Sequence, residues 1–197
     1  SDMCTILSYS GKDIGPETLM GYLRRNAMRG PDDARILPTP FGYLGFARLA
    51  IMGLSPEGMQ PFEHNGSWAV CNGEIYGFRR EVLLPLYEEY GCEMFAHLDA
   101  EYACVLYDGK NGHLIAARDP IGIRPLFYGY SRSGAIAFAS EAINLEGWVD
   151  EIRPFPPGYY YCDGQFVPYH RIDQVTHYLH ADVEELTAGI HDRLIEA

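Results

Sequence analysis

Tyr102-Ala103-Cys104-Val105-Leu106-Tyr107-Asp108-Gly109-Lys110-Asn111-Gly112-His113-Leu114-Ile115-Ala116-Ala117-Arg118 is the stretch that decides the fold class. Two runs rich in apolar, β-branched and aromatic residues flank a short segment of turn chemistry, the pattern of neighbouring antiparallel strands. The rhythm continues through residues 125–130 and 135–140, then through Gly158-Tyr159-Tyr160-Tyr161-Cys162 and an Asp163-Gly164 hairpin. Pro154 to Pro157 forms a rigid turn before that last pair.

Upstream, residues 4–9 read as a strand and Gly15-Pro16-Glu17 opens a helix with proline at its start, burying Leu19, Met20 and Leu23. That helix ends near Arg29-Gly30-Pro31-Asp32-Asp33. Ile36-Leu37 and residues 42–51 are strand-like, and glycines in the second predict close backbone approach. Residues 52–62 form a loop holding Gln60-Pro61. Trp68-Ala69-Val70-Cys71 reads as a strand that breaks at Asn72-Gly73, the commonest short hairpin signal. Residues 81–90 predict a helix with Val82, Leu83, Leu86, Tyr87 and Tyr90 on one side and Gly91 as its stop. A last helix covers residues 183–197, capped by Asp182. Many short strands and few helices predict an α+β fold: two antiparallel sheets face to face, covered by helices.

The 197 residues suffice for one domain with a sizeable core, and 47% hydrophobic with 21% charged residues is ordinary for a globular chain. A net charge of −12 argues against nucleic acid or an anionic membrane as partner. No apolar run approaches the ~20 residues of a membrane span and no signal peptide precedes Met3, so a cytoplasmic location is expected. The five cysteines (Cys4, Cys71, Cys92, Cys104, Cys162) show no CxxC spacing. That predicts reduced thiols, with no disulfide and no structural zinc, and Cys71, Cys104 and Cys162 as core residues.

Cys4 stands where an apolar strand begins at the end of the chain, a place that usually frays. If Ser1-Asp2 is a cloning remnant and Met3 the initiator, removal of Met3 gives Cys4 a free α-amine. Such an amine titrates near pH 8, so thiol and amine form a nucleophile–base pair on one residue. The plain alternative is a small buried hydrophobe.

Seven stretches occur in one order: Cys4 after the initiator, Arg29-Gly30-Pro31-Asp32, Arg48-Leu49-Ala50-Ile51, Asn72-Gly73-Glu74-Ile75-Tyr76, Ala117-Arg118-Asp119-Pro120-Ile121-Gly122-Ile123-Arg124-Pro125-Leu126, Phe138-Ala139-Ser140-Glu141 and Phe155-Pro156-Pro157-Gly158. Together they resemble the N-terminal-nucleophile glutamine amidotransferase domain of a glutamine-hydrolysing asparagine synthetase. The resemblance runs from Met3 to the end of the chain. It implies a four-layer αββα sandwich of the N-terminal-nucleophile hydrolase type, with residues 3–180 as the glutaminase and 181–197 beginning a linker helix to a synthetase domain outside this chain.

The resemblance also assigns roles. Cys4 is the nucleophile whose own amine shuttles the proton. The Asn72 side chain and the Gly73 N–H form the oxyanion hole, a donor worth roughly 3–4 kcal/mol of barrier. Arg48 grips the substrate α-carboxylate with its guanidinium fork. Glu74 holds the α-ammonium, with help from carbonyls at Leu49 and Ile51. Alone, Asn-Gly is an ordinary turn, and Arg48 between Ala47 and Leu49 reads equally as an edge-strand surface residue. Arg118-Asp119 and Arg29-Asp32 read as ion pairs and loop braces. Glutamine is the implied substrate, a C-terminal synthetase domain the implied partner, and a homodimer stays open. No cofactor or metal is implied for this domain; ATP and magnesium belong to the synthetase domain, whose Ser-Gly-Gly-x-Asp-Ser loop does not occur here.

The chain departs from the pattern in four places. Thr5 and Gly77 replace the family's usual glycine and asparagine. Between Arg80 and Glu81 the family carries a helix, a short strand and a Ser-Asp-Cys/Thr-Glu element whose Asp also binds the substrate ammonium. Matching flanks with nothing between them predict a missing stretch, which a Cα–Cα separation near 3.8 Å would defeat. Finally, with Ser1-Asp2-Met3 attached, the Cys4 nitrogen is an amide and the domain is expected to be inactive. Alternatives are the glutaminase domain of a phosphoribosyl- or hexosamine-type amidotransferase, and a non-catalytic scaffold of the same fold.

Overall fold

A computed structural model describes residues 4–29, 33–48 and 58–196. Its elements in chain order are β1 (Thr5–Tyr9), α1 (Pro16–Leu23), β2 (Asp33–Pro38), β3 (Tyr43–Arg48), β4 (Phe62–His64), β5 (Ser67–Ile75), α2 (Leu83–Tyr90), β6 (Ala100–Asp108), β7 (His113–Arg118), β8 (Phe127–Ser131), β9 (Ile136–Ala139), β10 (Val149–Pro154), β11 (Tyr159–Cys162), β12 (Gln165–Pro168) and α3 (Val183–Glu196). The strands form two six-stranded sheets, ordered β10-β8-β9-β1-β3-β2 and β12-β11-β7-β6-β5-β4, with antiparallel pairing throughout. The expected α+β fold is therefore present.

Alternation along the strands divides the apolar residues into three layers of core. Cys4, Ile6, Leu44, Phe46, Val70, Ala103, Val105 and Phe138 meet between the two sheets. Leu7, Tyr9, Ala47 and Ala137 face outward and pack under Leu19 and Leu23 of α1. Cys71, Ile75, Cys104, Ile115 and Ala117 do the same under Leu83 and Leu84 of α2. Three cores separate four layers, so the αββα sandwich follows from the period-two pattern.

β1 lies in the middle of the first sheet, between β3 and β9. Its first turnless residues are secured from several sides. The Ile6 N–H donates to Ser140 Oγ at 2.9 Å and the Ser140 N–H donates to Ile6 O at 3.0 Å, so the ladder with β9 extends almost to Cys4. Thr5, fully buried, accepts a bond from Asn26 Nδ2 at 3.2 Å. That contact ties the threonine to the 3₁₀ turn after α1. Gly42 bears out the expected close approach, since a Cβ there would lie 2.0 Å from Tyr9 O.

Several expectations need correction. The strand does not break at Asn72-Gly73: β5 runs through both, pairing with β6 from Trp68↔Tyr107 to Ile75↔Ala100. The hairpin is at Asn65-Gly66, with φ of 50° and 79°, joining β4 to β5. In the second helix Leu84 is buried and Tyr90 is 52% exposed, because Tyr90 ends α2 just before the C-cap glycine. β10 precedes the 154–157 turn, and Cys162 is only half-buried. A 3₁₀ turn spans Arg80–Val82, where the Val82 N–H donates to Arg79 O at 3.1 Å. α3 is capped as expected, Asp182 Oδ1 accepting the Glu185 N–H at 2.9 Å. No helix among the described residues is long and apolar enough to cross a membrane.

Candidate active site

Register places the nucleophile candidate. Thr5 pairs with Ala47, so one step back along the antiparallel ladder Cys4 stands opposite Arg48. Cys4 shares its face with Ile6, and Arg48 shares its face with Leu44 and Phe46, all directed at the second sheet. On that sheet Asn72 and Glu74 follow Val70 at two-residue spacing and face back. Ala103, directly opposite Asn72 on β6, packs in the same layer as Cys4. Strand alternation thus puts Cys4, Arg48 and Asn72 on the sides that face the inter-sheet layer, with Glu74 on the same side of β5 at its exposed end. Leu49 and Ile51, the two carbonyl candidates, lie outside the described residues, as does Asp32.

Asn72 is fully buried, and neither its Nδ2 nor its Oδ1 has a hydrogen-bond partner. Among the described residues it is the one side chain with two orphaned polar atoms. Burying such groups unpaired costs about 1–3 kcal/mol each. Its neighbour Gly73 approaches β6 so closely that a Cβ would lie 2.0 Å from Glu101 O. Only glycine fits, and the pair is held in a strand where a turn was expected.

Cys4 itself is 2% exposed. Met3 and Leu49, covalently next to Cys4 and Arg48, lie outside the described residues. Glu74 is exposed at the end of β5, lining a cleft of about 500 Å³ with Phe62, Phe78, Arg79 and Arg80. Cys71, one residue before Asn72 but facing the helices, is a poor nucleophile: burial pushes its thiol up to about 12, with Arg80 and Arg124 opposing.

Two supports were not legible beforehand, and a third reads in the sequence as an ion pair and loop brace. Gln60 is fully buried, its Oε1 accepting the Cys71 N–H at 2.6 Å and its Nε2 donating to Cys71 O at 2.8 Å. The only hint was a glutamine beside a proline in a loop. Glu101, cross-strand from Glu74, binds Arg124 Nη2 at 2.5 Å, and Arg124 Nε is buried without a partner. Arg118 and Asp119 brace the intervening loop, but through backbone groups. Arg118 donates to the carbonyls of Arg124, Phe155 and Gly122 at 2.7–2.8 Å. Asp119 accepts the N–H groups of Tyr102, Ile121, Gly122, Ile123 and Arg124 at 2.6–3.3 Å.

A family model described as a glutamine amidotransferase domain matches residues 3–80 and 80–193. The chain belongs to this family. The amidotransferase domain is 34% identical, over 99% of its length, to a probable asparagine synthetase (glutamine-hydrolyzing) of Acanthamoeba polyphaga mimivirus, of which it covers 44%. It is 34% identical over 83% of its length to asparagine synthetase (glutamine-hydrolyzing) 2 of Arabidopsis thaliana, covering 32% of that protein. The amidotransferase domain thus spans less than half the length of these relatives. Among solved structures it superposes on a glutamine phosphoribosylpyrophosphate amidotransferase from B. subtilis with a TM-score of 0.70, at 18% identity, over 85% of this chain and 49% of that one. That likeness concerns the fold alone.

The family match divides at residue 80, and the mimivirus alignment runs over 242 residues although this chain has 197. That relative therefore carries stretches that this chain lacks, and the match divides where the missing stretch was expected.

Proposed function

We propose that the domain hydrolyses glutamine to glutamate and ammonia through Cys4, supplying ammonia to an ATP-dependent asparagine synthetase domain of a longer chain. The observation that carries this reading is Asn72, a fully buried amide with no protein partner on the face it shares with the Cys4 layer. A group that costs stability and forms no contact is what an oxyanion donor looks like before its substrate arrives.

In this reaction the Cys4 thiol gives its proton to the residue's own free α-amine, and the thiolate attacks the side-chain amide carbon of glutamine. The oxyanion that forms is met by Asn72 Nδ2 and the Gly73 N–H. The α-ammonium then protonates the departing nitrogen, ammonia leaves, and a thioester to Cys4 remains. Water, deprotonated by the same amine, cleaves the thioester and restores the thiol. Arg48 pairs with the substrate α-carboxylate and Glu74 with its α-ammonium, Leu49 and Ile51 carbonyls assisting. These steps draw on no metal or cofactor.

The 34%-identical synthetase relatives favour this acceptor over the phosphoribosyl type, whose likeness here lies at 18% identity. The 2% exposure of Cys4 favours a second reading, a scaffold that keeps the fold without turnover. Turnover separates the two. A chain that begins at Cys4 should release ammonia from glutamine, and the chain retaining Ser1-Asp2-Met3 should not. Equal release by both would remove the α-amine from the mechanism, and none from either would favour the scaffold.

A further inference from the structure

On the outer face of the second sheet, away from Cys4, four metal-ligand side chains arrive from three separate parts of the chain. His113 opens β7 and shares its face with Ile115 and Ala117, the face under α2. Cys162 pairs with Ile115 across β11 and β7, which sets it one diagonal step from His113. Asp163 begins the β11–β12 hairpin with φ of 44°. Its Oδ1 accepts the Leu114 N–H at 3.1 Å, and its Oδ2 meets His113 Nδ1. Cys92, in the 3₁₀ turn Gly91–Ala96 that follows α2, packs against the same apolar cluster as Cys162.

We propose that His113, Cys162 and Asp163, completed by Cys92, form a binding site for a divalent transition-metal ion of the zinc class. The ligand atoms of His113, Cys162 and Asp163 lie within 4.8 Å of one another. A tetrahedral site with bonds of 2.0–2.3 Å needs ligands about 3.3–3.8 Å apart, so small side-chain rotations suffice. The donor set of two sulfurs, one imidazole and one carboxylate suits zinc; calcium or magnesium would take oxygen. The Leu114 N–H already orients the carboxylate from behind, as outer partners do in built sites.

A bound cation would draw off the thiol protons and join the turn after α2 to β7 and the β11–β12 hairpin. The ligands stand at 92, 113, 162 and 163, a spacing that no CxxC search detects.

The test is cobalt(II) titration of the reduced, chelator-treated full chain, followed by zinc. One equivalent should bind with a thiolate-to-cobalt charge-transfer band and tetrahedral visible bands, and zinc should erase both. Cys162→Ser and His113→Ala should each weaken binding at least about tenfold, and Cys92→Ser should lower the charge-transfer intensity. The His113 side chain is only half-buried, so its variant should fold, and His180→Ala, in an exposed segment, should bind as the parent does. Absence of saturable binding, or binding that Cys162→Ser and His113→Ala leave unchanged, overturns the proposal.

Discussion

Asn72 and Gly73 hold the tension between stability and function. Because the Asn72 amide has no partner, replacing it with alanine removes an unpaired buried group and leaves a small void. Asn72→Ala should therefore unfold at the same temperature as the parent or within a few degrees of it, while ammonia release falls by about 10²–10³. Calorimetry and a glutaminase assay on the same sample check this; a collapsed melt would mean that the amide serves the fold. Gly73→Ala is the reverse case. A methyl 2.0 Å from Glu101 O must push β5 from β6, so urea unfolding should show a loss of more than about 2 kcal/mol. Parent-like stability would show that β6 yields easily.

At the scale of elements, the inter-sheet strands are held by contacts that begin in loops. Gln60 satisfies both backbone groups of Cys71, the residue before Asn72. Gln60→Ala should cost about 2–4 kcal/mol in urea titration, because it strands a buried N–H and a buried C=O. A loss below 1 kcal/mol would mean that water replaces the amide. The same scale separates what could be read in advance from what could not. Apolar, aromatic and β-branched runs bounded by turn residues placed β6, β7, β9 and β11 nearly to the residue, and Gly15-Pro16 placed the start of α1. Two Asn-Gly pairs look alike as dipeptides, yet Asn65-Gly66 turns and Asn72-Gly73 does not. The difference lies in β6, whose Glu101 carbonyl takes the space above Gly73 some thirty positions later. The Gln60 clamp and the Cys92, His113, Cys162 cluster were hidden for the same reason, as each needs partners far apart in sequence. Cys4, Arg48, Asn72 and Glu74 were named from motif order, and the sheet registers put them on the facing sides of the two sheets.

Across the whole molecule, two sheets bury their facing sides and leave the start of β1 at the edge of the sealed layer, opposite the end of β3. A scaffold and a hydrolase can share that architecture; they differ in whether Cys4 reacts. The 2% exposure of Cys4 and the orphaned Asn72 point in opposite directions, and the amide decides. The direct measurement is intact-mass and peptide mapping of the chain beginning at Cys4 after incubation with a glutamine-mimicking electrophile. The account predicts one adduct, on Cys4, slowed by excess glutamine and by Asn72→Ala. An unmodified Cys4, or label spread over Cys92 and Cys162 instead, would contradict it.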